Sequence, residues 1–272
     1  MSARSDAPAS RPPGKNRREN VRKFLAPDKI DPSESGTASS RATVSINGRT
    51  LTLSNLEKVF YPKAGFTKSQ VIDYYARVAR VLLPHLRDRP LTLKRYPDGV
   101  EGFHFYEKRC PVFRPDWLQT APIWSERNNE HISFCLANDL PSLIWAANLA
   151  DLELHTALFR YQHPDRPTVL VFDLDPGPGV DVIDCAEVAL WLRDYLQQFQ
   201  MECFAKTSGS KGLQVYAPLN TTVTFEQTKA FARQAAEHLT AEHPERVIQR
   251  MEKKLRGGKV FIDWSQNDAH KT

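Results

Sequence analysis

The chain has 272 residues, 41% apolar and 25% charged, with a formal net charge of +5. That length carries one large domain or two small ones, and no apolar run approaches the roughly 20 residues a membrane span needs, so membrane proteins are set aside. Residues 1–42 hold nine Lys/Arg against five Asp/Glu, a charge of +4, which leaves +1 for the other 230 residues; the basicity is a tail property, and a near-neutral body binds polyanions only if its charges are sorted onto faces.

The opening "MSARSDAPASRPPGKNRREN" has no hydrophobic segment and is not a secretory signal. Residues 1–42, rich in Pro, Ser, Arg and Ala, read as a disordered basic tail. In "TVSINGRTLTLSN" two alternating runs flank Asn47-Gly48, a two-residue hairpin signal. Thr67 and Gln70 have the spacing of a capping box, and Val71, Tyr74, Tyr75, Val78 and Leu82 continue as a helix. "RPLTLKRYPDG" reads as a strand into a turn, and "SLIWAANLADLELH" as a mostly buried helix. After the strand "TVLVFDLD" come a helix from Asp184 to Phe199, strands at "CFAKTS" and "LQVYAPL", a helix capped by Thr224 and Gln227, and the strand "KVFIDWSQ". This order predicts an α/β sheet with helices packed on it. The four cysteines show no C-x-x-C spacing, which argues for reduced cytoplasmic thiols and against a zinc site or disulfide framework.

"TVLVFDLDPGPGVD" raises the chemical question. Residues two apart on a strand share a side, so Asp173 and Asp175 project together. Two ionised carboxylates so placed need a proton, a base or a divalent cation between them. "VFIDWSQN" delivers a third, Asp263, in the same way. Three hard oxygen ligands suit Mg²⁺ or Mn²⁺, which also accept substrate phosphate. Between them lies "KTSGSKGLQVY", whose small residues permit close backbone approach and whose Ser208 and Lys211 offer a hydroxyl and a charge; it lacks Walker spacing and reads equally as a hairpin turn.

"VFDLDPG", "TSGSKGL" and "GKVFIDWSQN", in that order and separation, resemble the polymerase domain of bacterial DNA ligase D, of the archaeo-eukaryotic primase superfamily. The resemblance covers about residues 43–272. It implies an α+β, primase-type fold: a small N-terminal α/β module over about 43–160 and an RRM-like catalytic sheet over about 161–272. By the same resemblance Asp173, Asp175 and Asp263 hold two Mn²⁺ or Mg²⁺ ions with an NTP or dNTP bound, and His155, Ser208, Lys211 and Gln214 contact that nucleotide. Asn55, Lys58 and Lys68 match a pocket for a DNA 5′-phosphate, Phe105 and Tyr106 a pair of aromatics under the template base, Lys94 and Arg95 nearby backbone contacts, and Arg256 a loop residue that handles template or primer.

The activity implied is template-dependent nucleotidyl transfer that fills gaps or extends double-strand-break ends in non-homologous end joining, with a preference for ribonucleotides and Mn²⁺, in a bacterial, nucleoid-associated cytoplasmic setting. No K-x-D-G ligase nucleophile is present, so joining is assigned to an ATP-dependent DNA ligase and a Ku-like end-binding protein. Gln214 departs from the histidine common in the family, and the family pattern continues beyond "NDAHKT" with a "PYS-x-R" segment, so the catalytic part is expected to be incomplete at its C-terminus. Two alternatives stand beside this reading: a non-catalytic 5′-phosphate end-binding module, and a haloacid-dehalogenase-like phosphohydrolase with Asp173 as nucleophile.

Overall fold

The computed structural model describes residues 41–271. The tail expected over residues 1–42 lies outside them, except that Arg41 and Ala42 already belong to the first strand. β1 (Arg41–Ile46) and β2 (Arg49–Ser54) form the predicted hairpin. Asn47 and Gly48 take φ of 51° and 76°, the two positive values that a type I′ turn demands. β3 (Val59–Tyr61) and β4 (Phe66–Thr67) form a short pair before α1 (Lys68–Leu86). The Thr67 amide donates to Gln70 Oε1 at 2.7 Å, as the capping spacing requires.

β5 (Leu91–Arg95), β6 (Phe105–Glu107), β7 (Thr120–Ser125) and β8 (Glu130–Cys135) form a sheet in the order β6-β5-β8-β7. α2 (Leu140–Asn148) follows, then β9 (Asp151–Thr156), which pairs with β5. The single buried helix expected across "SLIWAANLADLELH" is therefore wrong in its second half. Its chain reverses at Ala150, where φ is 62°, and the residues beyond pair as strand; apolar periodicity over so short a stretch does not separate the two states. Leu51, Leu53, Ile72, Leu91, Leu93, Leu143 and Ile144 share the core of this part.

β10 (Val169–Pro176), α3 (Val182–Gln197), β11 (Phe204–Thr207), β12 (Leu213–Pro218), α4 (Phe225–Glu242), β13 (Val247–Ile248) and β14 (Val260–Asp263) complete the chain. α3 begins two residues earlier than expected because Asp181 caps it: its Oδ1 accepts the Ile183 amide at 2.7 Å, and Asp184 Oδ2 accepts the Asp181 amide at 2.9 Å. The sheet order is β11-β12-β10-β14-β13, and all neighbours are antiparallel except β13 and β14. Leu170, Phe172 and Leu174 of β10 are fully buried with Leu192 and Leu196 of α3 and Leu239 of α4. Burying each such side chain is worth about 1.5–3 kcal/mol, and alternation then commits Asp173 and Asp175 to the opposite face. No helix among the described residues is long and apolar enough to cross a membrane.

β14 pairs with β10 only from Asp173 onward, which leaves the upstream edge of β10 without a strand. Asn267, 0% exposed, fills the gap with its side chain: Oδ1 accepts the Val171 amide at 2.9 Å, and Nδ2 donates to Val171 O at 2.7 Å and Trp264 O at 2.9 Å. Asn267→Ala strands two buried backbone groups and is expected to cost roughly 2–4 kcal/mol, read as a shifted denaturation midpoint; a loss under 1 kcal/mol would refute this bracing role.

Cysteine usage differs from expectation. Cys110 and Cys135 form a disulfide across 25 residues, while Cys185 and Cys203 are free. The Cys110 amide donates to Ser133 O at 2.7 Å and so brings a loop cysteine beside β8. This is a tertiary contact with no spacing signature.

Candidate functional site

The antiparallel register aligns four polar residues straight across one face of the β11-β12-β10-β14 sheet: Lys206 opposite Gln214, Gln214 opposite Asp173, Asp173 opposite Asp263. Asp175 is two residues along β10 on the same side. Asp173 is pushed up to about 6, first by burial, then by the charges of Asp175 and Asp263, with the Gln214 amide and the Lys206 ammonium opposing. Burial also raises Asp175, where Arg256 opposes and Asp263 adds to the rise. Asp173 Oδ1 is buried with no hydrogen-bond partner. A buried, unsatisfied carboxylate oxygen beside two like charges is costly, and a bound cation removes that cost.

Asp263 is differently engaged. Its Oδ1 accepts the Ser265 amide at 2.9 Å and the Ser265 hydroxyl, and its Oδ2 accepts Gln266 Nε2 at 3.1 Å, so the carboxylate caps its own 3₁₀ turn. Among the described residues no three His, Cys, Asp or Glu side chains are grouped so as to hold a metal ion as they stand. The donor chemistry of the three aspartates and the orphaned Asp173 oxygen nevertheless fit a hard divalent cation.

The hairpin between β11 and β12 is closed by Ser208, whose Oγ accepts the Gly212 amide at 3.2 Å and whose own amide donates to Gly212 O at 3.0 Å. Lys211 lines an open groove facing the Gly177–Val182 loop. Gly177 and Gly212 are required by close approach: a Cβ on them would lie 1.8 Å from Arg256 O and 1.9 Å from Leu174 O. Tyr216 donates to Gln214 Oε1 at 2.8 Å and carries the Lys206 ammonium 5.4 Å from its ring centroid. Neither Lys206 nor Tyr216 was singled out by sequence, because only the strand register aligns them with Asp173. Arg256 lies over the Phe261 ring at 3.6 Å and donates to Met251 O at 2.8 Å.

Five of the remaining predicted residues gather on the other sheet. β6 pairs Tyr106 with Lys94 and Phe105 with Arg95, so the two aromatics point to opposite faces of the ribbon. Alternation thus presents them on the two sides of the ribbon. Phe105 stacks on Phe103 at 5.7 Å and lies 5.2 Å from the Arg95 guanidinium; Tyr106, 59% exposed, meets His155 edge-on at 5.3 Å. Lys94 and Arg95 are not free cations either. Lys94 donates to Glu153 and Arg95 to Glu107, both at 2.7 Å, with side chains only 14% and 18% exposed.

Asn55, Lys58 and Lys68 do come together. The Lys58 amide donates to Asn55 O, and the Lys68 amide to Lys58 O. Asn55 takes φ 54°, a turn conformation that asparagine tolerates. Lys58 pairs with the exposed Asp98 at 2.8 Å. Lys68, 4% exposed, donates to Ser54 O at 2.6 Å and is lowered to about 8 by burial, then by the charges of Lys58 and Arg95.

A small sheet with helices packed on one face carries three aspartates on two adjacent strands of the other, a donor set that suits metal-assisted phosphoryl transfer. The family described as LigD, primase-polymerase domain, matches residues 67–272. The chain is 40% identical over 222 residues to the multifunctional non-homologous end joining protein LigD of Mycolicibacterium smegmatis, covering 81% of this chain and 29% of that protein. Against the bifunctional non-homologous end joining protein LigD of Bacillus subtilis it is 33% identical over 223 residues, 82% of this chain and 35% of that one. Its structure matches that of the polymerase domain from Mycobacterium tuberculosis ligase D in complex with DNA, with a TM-score of 0.77 at 39% identity over 81% of this chain and 79% of that one. The chain belongs to the LigD primase-polymerase domain family. It spans about a third of the length of the curated relatives it matches. This membership overturns the phosphohydrolase alternative.

Proposed function

We propose that this chain extends a DNA primer across short gaps or bridged breaks during non-homologous end joining, directed by a template. The observation that carries the reading is the cross-sheet row Lys206–Gln214–Asp173–Asp263 with its unsatisfied Asp173 oxygen. The primer 3′-hydroxyl oxygen loses its proton to solvent and forms a bond to the α-phosphorus of the nucleotide, while the bond from that phosphorus to the oxygen bridging to the β-phosphate breaks and pyrophosphate leaves. Asp173, Asp175 and Asp263 would hold Mg²⁺ or Mn²⁺, which when bound supplies the Lewis-acid charge that stabilises phosphoryl transfer.

The chain's own groups orient the rest. Lys211 on its mobile stem, with the Ser208 hydroxyl and the Gln214 amide, offers positive charge and donors to the triphosphate. Gln214 cannot titrate, so its own donor does not change with pH. Tyr216 is pushed up to about 12, chiefly by burial, and keeps Gln214 oriented as a hydroxyl donor. Tyr106 supplies a face for a templating base, and Phe105 with Phe103 a second one on the opposite side of the ribbon; stacking tolerates every base, as gap filling demands. His155 contacts the nucleotide, and Arg256, in a loop touching the Gly177 turn, handles primer or template. A DNA ligase and a Ku-like protein complete the joining, and a preference for ribonucleotides and Mn²⁺ belongs to the same proposal.

Lys58 and Lys68, with Asn55 shaping their turn, would receive the 5′-phosphate across the gap. Lys68→Met, which keeps the buried stem, is expected to reduce the preference for 5′-phosphate over 5′-hydroxyl gaps by about tenfold. In the parent that preference should fall as pH rises through about 8, because the Lys68 ammonium then loses its proton. Fluorescence-anisotropy titrations of both DNAs check both statements, and equal losses on the two DNAs would sink the pocket. The function as a whole is tested by extension of a gapped primer with each nucleotide and metal, and a parent chain inert under every combination overturns it.

A further inference from the structure

One carboxylate outside the aspartate site has an unusual set of partners. Tyr106, Lys94 and Glu153 stand side by side across β6, β5 and β9; His155 lies two residues along β9 on the same face, and Tyr96 follows directly after the end of β5. Glu153 Oε1 accepts Lys94 Nζ at 2.7 Å and the Tyr96 hydroxyl; Glu153 Oε2 lies 3.2 Å from His155 Nε2. The Lys94 ammonium sits 5.4 Å from the ring centroids of both Tyr96 and Tyr106. The Tyr106 ring in turn meets His155 at 5.3 Å. The contacts close a circuit, Glu153–Lys94–Tyr106–His155–Glu153.

The circuit has chemical consequences. Burial works against the Glu153 charge, but the bonds from Lys94, Tyr96 and His155 outweigh it and hold the carboxyl below its ordinary range. An ionised carboxylate only accepts, so the His155 contact requires a proton on Nε2 and orients the ring. Lys94, its charge matched by Glu153, serves as a clamp between two aromatic rings rather than as a phosphate contact.

We infer that Glu153 is a positioning residue that locks Tyr106 and His155 into one unit, so that stacking of a templating base and grip on the incoming nucleotide are coupled. This rests on the roles proposed for Tyr106 and His155 above. Glu153→Ala is expected to raise KM for the complementary nucleotide about tenfold with a much smaller change in kcat, and to abolish the quenching of 2-aminopurine placed at the templating position. Glu153→Gln keeps an acceptor for Lys94 and Tyr96 but turns an amide N–H toward His155. The ¹⁵N shifts of the free chain should then show His155 moving from the Nε2–H to the Nδ1–H tautomer, with quenching retained and KM still raised.

An alanine variant that melts lower while KM and quenching stay at parent values would make Glu153 merely structural and overturn the inference. So would a glutamine variant with an unchanged His155 tautomer. Failure of the polymerase reading looks different: the parent itself would give neither template-dependent extension nor quenching, while the tautomer comparison, made without DNA or nucleotide, would still report on the Glu153–His155 link.

Discussion

Replacing Asp173 by asparagine is expected to lower primer extension at least ~10³-fold and, in the metal-free chain, to raise the melting temperature. The two effects have one origin. Asp173 sits beside Asp175 and opposite Asp263, with one oxygen buried and unsatisfied. Its carboxyl titrates at about 6 in the fold, against 3.8 for the unperturbed group. Between those values the native state binds the extra proton, so stability falls as pH rises through the window, and the full cost is present above about pH 6. Two pH units correspond to nearly 3 kcal/mol; because the carboxyl is only partly buried, about 1–2 kcal/mol is the expected gain, or roughly 2–6 °C for a domain of this size. Thermal melts in chelator at pH 5 and pH 7.5 check it: the asparagine variant should gain at 7.5 and about half as much at 5. With Mn²⁺ added, the order should reverse, because only the parent has the ligand. A variant that loses stability in chelator at pH 7.5 would show that the carboxylate is held by contacts rather than strained by its neighbours.

Much of this site was legible because strand alternation and turn chemistry are local. Asp173 and Asp175 share a face by a rule that needs no partner, and Asn47-Gly48, Thr67–Gln70 and Thr224–Gln227 each encode their own turn or cap. What stayed hidden depends on register between distant strands. Lys206 and Tyr216 join the site only because β11 and β12 pair as they do. Glu153 becomes a hub only once β9 lies against β5, and that strand was read as the end of a helix. Asn267 is polar and sits in a polar run, so nothing in its neighbours announces a fully buried residue completing a sheet edge. Phe105 and Tyr106 carry the reverse lesson. They are neighbours in a motif, and the same alternation that joins Asp173 to Asp175 places them on opposite faces.

A second large penalty belongs to the hairpin that faces the aspartates. Gly212→Ala is expected to cost at least about 3 kcal/mol and to lower extension further than the lost stability explains. Gly212 needs no left-handed conformation; the problem is space. Its added Cβ would lie 1.9 Å from Leu174 O and 3.2 Å from Pro176 Cδ, both on the strand that carries Asp173 and Asp175. Backbone cannot rotate away as a flexible side chain can, so either β10 or β12 must move, and the aspartates move with it. Gly209, three residues earlier in the same loop, provides the contrast: its φ is 89°, but a Cβ there meets nothing within 4 Å. Gly209→Ala should therefore cost only about 1–2 kcal/mol of backbone strain, with the site intact. Paired urea melts and extension assays at a temperature where both variants are folded separate the two causes. Equal losses in the two variants would mean that the loop yields as a whole, and that the close approach of Gly212 to Leu174 does not fix the position of the catalytic strand.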